Sequence, residues 1–300
     1  MKHLPVASVV FLGLCLSCEV GPQGSTGPAG PAGPAGAGSS PGSSPDCPEG
    51  YTRDVTQINI VLCRQGMDEV VKVGVKGSAF WIDRYESSMW QNPDGTGTQY
   101  GVNADDYPTG FSKNGQISIP VYALSRAGVK PSAYVNWFQS NEACRASGKR
   151  LPTSEEWLTA ARGTIDPGVS DGSGGTCVTM ASGPRMTGTG NKCVSDWGAQ
   201  DMIGSLYETM AEWYAAPSKQ ELAAFGQPWP PGWGNDQVAN VLPTTLYTLG
   251  GSTVTGPLPA ALTRGGRFNS GTDAGIFSFV LTATPALGDV SAGQRCIIPR

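Results

Sequence analysis

From Gly77 to Ser88 the chain reads GSAFWIDRYESS, with apolar and polar side chains taking turns as they do on a half-buried strand. A longer period follows Pro131, in AYVNWFQSNEACRASG. There Trp137 and Cys144 fall on one face of a predicted helix, and Gly148 supplies its stop. In GKRLPTSEEWLTAARG, Gly148 to Gly163, Thr153 and Glu156 have the spacing of a capping box, each side chain taking a backbone N–H of the other. Trp157 and Ala161 then share a face, and Gly163 ends this second helix. Near the C-terminus, Ile276 to Ala283 predicts a strand, and no helical period appears from Leu262 onward. Short helices among scattered strands and long loops define an α+β domain.

The pattern at the N-terminus is of another kind. Met1-Lys2-His3 leads into an apolar run from Leu4 to Leu16, too short for an ordinary membrane span, which reads as an export signal over residues 1–17. It ends in Leu14-Cys15-Leu16-Ser17-Cys18, similar to a bacterial lipobox with cleavage after Ser17 and lipid on Cys18, although Cys15 stands where leucine is usual. The alternative is a plain secretory signal. Residues 18–46 form a Gly/Pro/Ser-rich linker in which glycine recurs every third residue through Gly36, a collagen-like register. So few triplets predict an extended spacer under a monomeric domain rather than a trimeric stalk. The lipid makes the membrane a partner and places the protein in the cell envelope.

The 300 residues accommodate one large domain or two smaller ones. The reading here is a small β unit over residues 47–76 and a main domain over 77–300. A net charge of −4 and a pI near 5.1 leave no basic stripe for nucleic acid. The single histidine is His3, inside the expected signal, which excludes Ser-His dyads, facial histidine triads and imidazole zinc sites from the mature chain. Of eight cysteines, Cys15 and Cys18 belong to the signal region, and the remaining even number in an exported chain favours disulfides. Cys47 with Cys63, and Cys177 with Cys193, close two short loops.

The charges of GKRLPTSEEWLTAARG look architectural. Glu155 and Glu156 point about 100° apart on a helix and do not face each other as an acid/base pair would. Glu156 belongs to the cap, and Arg150 or Arg162 can supply ion pairs. The surface most open to function is formed by loops. Trp229 and Trp233 in FGQPWPPGWGND, with Arg267, Phe268 and Asn269, make a shallow recognition face suited to a saccharide or a protein.

Taken in order, FWIDRYESS, VNWFQSNEACRASGKRLPTSEEWLTAARG, DMIGSLYETMAEWY, TRGGRFNSG and GQRC resemble the formylglycine-generating enzyme (sulfatase-modifying factor) family, from Phe80 to Arg300. The resemblance implies a variant of the C-type lectin fold with its first and last strands close together. It also implies a disulfide from the first helix to the last strand, Cys144 to Cys296; pairing Cys177–Cys193 and Cys47–Cys63 is then simplest. Active members bind copper through two cysteines that follow R-G-G, and iron-binding relatives use histidines. Here Arg264 to Arg295 contains no cysteine. The implied protein is a catalytically silent binding member with no catalytic residue and no required cofactor. The alternative is an active oxidoreductase of the formylglycine-generating or non-haem-iron type. Some relatives hold structural calcium around a segment like Asp201–Thr209, where Asp201 and Glu208 supply hard oxygens; the competing reading gives both carboxylates hydrogen bonds to loop backbone.

Overall fold

The computed structural model describes residues 46–74, 78–215, 238–240, 247–249, 252–254, 259–283 and 285–298. The signal, Cys18, nearly all of the linker, Trp229 and Trp233 lie outside these residues.

One sheet runs β1 (Thr52–Arg53), β2 (Leu62–Gln65), β3 (Asp68–Val73), β4 (Phe80–Asp83), each antiparallel to the next. Its far edge is β15 (Ile297–Ile298), with Ile297 opposite Ile82. The chain's first and last described strands thus share a sheet, as the resemblance implies. A second, three-stranded sheet has β5 (Ser88–Trp90) between β6 (Gln99–Tyr100) and β7 (Tyr122–Leu124). The helices α1 (Trp137–Ala146) and α2 (Ser154–Ala161) follow. The third sheet has the order β14-β8-β12-β13-β9, built from β8 (Tyr207–Ala215), β9 (Val238–Asn240), β12 (Pro259–Gly265), β13 (Gly275–Ala283) and β14 (Ala292–Gly293). A hairpin of β10 (Tyr247–Leu249) and β11 (Ser252–Val254) completes the described strands. This is the loop-rich α+β class expected.

Two expectations change. The segment 47–76 is not a separate unit, because β3 pairs with β4 along its length and puts Val71 and Val73 into the main core. The strand expected over Gly77–Ser88 is shorter, Phe80–Asp83, and is packed on both faces, with Trp81 partly buried. Phe80 and Ile82 enter the main core, while Trp81 packs with Tyr51, Cys63 and Val70 on the other side.

The main core lies where the first and third sheets meet α2. Leu62, Ile82 and Ile297 come from one side, Trp157 and Ala161 from the helix, and Met210 and Leu262 from the other side. Trp157 and Ala161 are both wholly buried, which is the shared helix face read from the sequence. A second core joins α1 to the three-stranded sheet through Met89, Ala123, Ala143 and Cys144.

Both helices begin with reciprocal caps. Thr153 accepts the Glu156 N–H at 3.2 Å, and Glu156 accepts the Thr153 N–H at 2.8 Å. Glu156 also meets Arg150 at 2.7 Å, so one carboxylate fixes both the cap and the turn before it. Such a cap contributes about 1 kcal/mol. Asn136 and Gln139 make the same arrangement at α1, a box the sequence reading passed over. Arg162 pairs with Asp196 at 3.1 Å and lies over the Trp197 ring.

Lys149, to which the sequence reading gave no role, is the most deeply buried of the charged residues in GKRLPTSEEWLTAARG. Its ammonium group is buried between Asp68 and Asp83, each 2.6 Å away. Burial works against its charge, but the two carboxylates outweigh burial and raise its pKa. Tyr51 adds its hydroxyl to Asp68. This cluster ties the turn before α2 to β3 and β4.

Three disulfides join Cys47–Cys63, Cys144–Cys296 and Cys177–Cys193. The second fastens the end of α1 to the residue just before β15.

Candidate functional site

Candidate chemistry centres on the R-G-G turn after β12 and on the charged residues beneath it. Arg264 is buried, and its Nε donates to Ser154 Oγ at 2.7 Å at the start of α2. Its guanidinium lies 5.9 Å from the Trp157 ring and 5.7 Å from the Phe279 ring. Burial lowers its pKa, against the pull of Glu212 and Tyr214. Gly265 has φ +86, and a Cβ there would stand 2.9 Å from the Met202 carbonyl oxygen and 3.2 Å from the Trp157 ring. The motif is therefore a tight seat on Trp157.

Of the residues expected after the turn, one faces inward. Phe268 is only 6% exposed and packs with Ala133, Val178 and Leu206. It is a core residue and not part of a recognition face. The left-handed glycines rotate the chain so that its ring turns inward. Arg267 donates to Ser291 Oγ at 3.0 Å and lies over Tyr207. Asn269 is exposed. Trp229 and Trp233 belong to the residues not described.

Beneath the turn Arg295 is wholly buried. Its Nε and Nη2 donate to the two oxygens of Glu208, each at 2.6 Å, and Nη1 donates to the Asp83 carbonyl at 3.0 Å. Trp157 Nε1 donates to the same Glu208 at 2.5 Å. Glu86 accepts from Ser205 Oγ and from the Leu206 N–H, both at 2.7 Å. Asp201 lies 3.2 Å from Arg185, and burial, opposed by Arg185 and Arg295, pushes its carboxyl up to about 6.

The two carboxylates of the expected calcium pair have protein partners. Both oxygens of Glu208 already accept from Arg295 and Trp157, and Asp201 faces Arg185, so a cation here would meet a guanidinium beside each carboxylate. The competing expectation fares no better for Glu208, whose partners are side chains rather than loop backbone. Among the described residues no group of three or more His, Cys, Asp or Glu is placed to hold a metal ion.

Glu86 gives a pH test. Burial, then the nearby charges of Glu208 and Asp201, raise its carboxyl well above the ordinary value. In the pH range above about 4.3 the folded state keeps a proton that the unfolded chain has lost, so this group's contribution falls as pH rises toward its folded pKa. Glu86→Gln does not titrate. Urea melts at pH 4 and pH 7 are expected to show the variant gaining stability relative to the parent at the higher pH; a constant difference would contradict this reading.

Sequence reading also missed the buried side-chain atoms that lack a hydrogen-bond partner, Arg84 Nε and Gln200 Oε1 being two of nine among the described residues. No motif marks them; they become visible only when β4 and the 191–200 segment come together, with the Gln200 N–H donating to the Arg84 carbonyl at 2.8 Å.

Sheet order, terminal strand pairing and the bond from α1 to the C-terminus define a loop-rich α+β domain in which the R-G-G turn packs against Trp157. The chain belongs to the sulfatase-modifying factor enzyme 1-like domain family, whose sequence model matches residues 68–299. That match begins in β3, consistent with one continuous sheet. No curated protein matches the chain. Among solved structures it is similar to the Major Tropism Determinant U1 variant, at 20% identity and TM-score 0.43, covering 83% of this chain and 55% of that one. The P3c variant is matched at 19% identity and TM-score 0.44, with 80% and 55% covered. Variable protein 1 of Treponema denticola is matched at 14% identity and TM-score 0.44, with 79% and 97% covered. The chain therefore spans about half the length of the first two and nearly all of the third.

Proposed function

We propose that this is an exported protein, anchored in the cell envelope by lipid on Cys18, whose domain binds a saccharide or protein ligand and performs no cysteine oxidation. The observation that carries the reading is the Cys144–Cys296 bond. Cys296 is the only cysteine after R-G-G, and a sulfur held in a buried disulfide is not the thiolate that soft metals require. The mature chain, as read from its signal, also has no imidazole to replace it. The linker then acts as a spacer between membrane and ligand.

Thiol titration of the exported, unreduced protein, native and in denaturant, tests the silent reading. No free thiol and no oxidation of a cysteine-containing peptide with added copper(I) are expected. Stoichiometric labelling of Cys144 or Cys296, or aldehyde formation on the peptide, would favour the oxidoreductase instead. Cys18→Ser is expected to abolish fatty-acid incorporation and release the protein from the membrane fraction.

A further inference from the structure

Lys149, Asp68 and Asp83 bring one amine and two carboxylates together inside the core. Lys149 Nζ lies 2.6 Å from Asp83 Oδ1 and 2.6 Å from Asp68 Oδ2, and none of the three side chains is more than 3% exposed. The other oxygen of Asp83 accepts from Ser87 Oγ at 2.9 Å and from the Cys296 N–H at 3.0 Å. We propose that Lys149 and Asp83 condense into an amide, a covalent crosslink from the turn before α2 to β4, with Asp68 as the proton carrier. The proposal does not depend on whether the domain binds a ligand.

Each oxygen of Asp83 has its own task. Oδ1 faces the amine and is the one that leaves; Oδ2 takes the negative charge of the tetrahedral intermediate, with two donors already aimed at it. An ammonium is not a nucleophile, so the reaction begins when its proton passes along the 2.6 Å hydrogen bond to Asp83 Oδ1. Burial, opposed by Lys149 and reinforced by the charge of Asp68, raises the Asp83 carboxyl and favours that transfer. The Nζ lone pair then attacks Cγ. Asp68 takes a proton from Nζ and delivers it to the Oδ1 hydroxyl, the Cγ–Oδ1 bond breaks, and water leaves. Nothing is oxidised or reduced, and no co-reactant is needed. The two carboxylates keep the free amine a minor species, so the crosslink builds up slowly after folding.

The product suits the core better than the reactants do. Two carboxylates and an ammonium are buried before the step, and only the Asp68 charge remains after it; buried charge is costly. Asp68 keeps Tyr51 and the Ser125 N–H as donors and gains the new amide N–H, while Oδ2 keeps Ser87 and Cys296.

Tryptic digestion of the full, unreduced protein in denaturant, read by tandem mass spectrometry, tests this. Trypsin does not cut after an acylated lysine. Residues 77–84 and 146–150 are therefore expected as one branched species, lighter by one water than the two peptides together. Asp68→Asn removes the proton carrier and Ser87→Ala one donor to Oδ2, and each is expected to slow crosslinking on the order of 100-fold. A cooperative melt and an intact Cys144–Cys296 bond show that each variant has folded. Free Lys149 in parent protein kept folded at physiological temperature for a week would overturn the proposal, leaving a plain ion pair. So would attachment through residues 65–72, which carry Asp68, or undiminished crosslinking in both variants.

Discussion

Replacing Arg295 by methionine is expected to destabilise the domain by about 3–5 kcal/mol, the cost of leaving a buried charge without its partner. The guanidinium neutralises Glu208 through two hydrogen bonds and also donates to the carbonyls of Asp83 and Gln200. Methionine fills much of the volume and satisfies none of these acceptors. Glu208 would remain beside Glu86 and Asp201, the acids that already disfavour one another's charge. Against a total stability of about 5–15 kcal/mol, the loss is a large fraction. The second change, Glu208→Gln in the same chain, removes the stranded charge and still accepts the Trp157 Nε1–H. Urea denaturation at pH 7 is expected to show the double variant recovering half or more of the loss. A single variant within about 1 kcal/mol of the parent, small beside the cost of stranding a buried charge, would mean that the pair does not hold the core together.

That network explains which parts were legible in the sequence. Thr153, Glu156, Trp157 and Ala161 are near neighbours whose spacing is fixed by one helix, so a cap and a buried face can be read from the letters. Lys149 and Arg295 are different. The partners of Lys149 are Asp68 and Asp83, and those of Arg295 include Asp83, Gln200 and Glu208. No period links such positions; they meet only when β4, β8 and β15 are brought together. Phe268 was misread for a related reason. Its neighbours in sequence look like an exposed loop, but two glycines with positive φ reverse the chain and turn the ring into the core.

Removing the bridge between α1 and the C-terminus is expected to have the second large effect. Cys144→Ala with Cys296→Ala opens a crosslink spanning 152 residues, and the loss of restriction on the unfolded chain corresponds to about 5 kcal/mol. The bonds at Cys47–Cys63 and Cys177–Cys193 each span 16, which corresponds to about 3 kcal/mol. For a domain of this size each kcal/mol moves Tm by roughly 2–4 °C, so the long bridge is expected to lower Tm by about 10–20 °C. Calorimetry of this variant beside Cys177→Ala/Cys193→Ala gives the comparison. An equal or larger fall in the second variant would show that loop length does not rank these bonds.

The edge position of β15 also sets a timetable for biosynthesis. A chain made from its N-terminus presents β4 long before the strand that completes its sheet exists, and Cys144 emerges as a thiol with its partner still unsynthesised. Cys177 and Cys193 appear in the interval, each able to capture it. Correct oxidation thus depends on the two short loops closing promptly with their own partners, or on an isomerase to undo the wrong choice. Until residue 295 has emerged, Arg295 is also missing, and Glu208 waits without its counter-charge. Residues 295–298 are therefore needed before the first sheet, the long bridge and the Glu208 ion pair can all be complete.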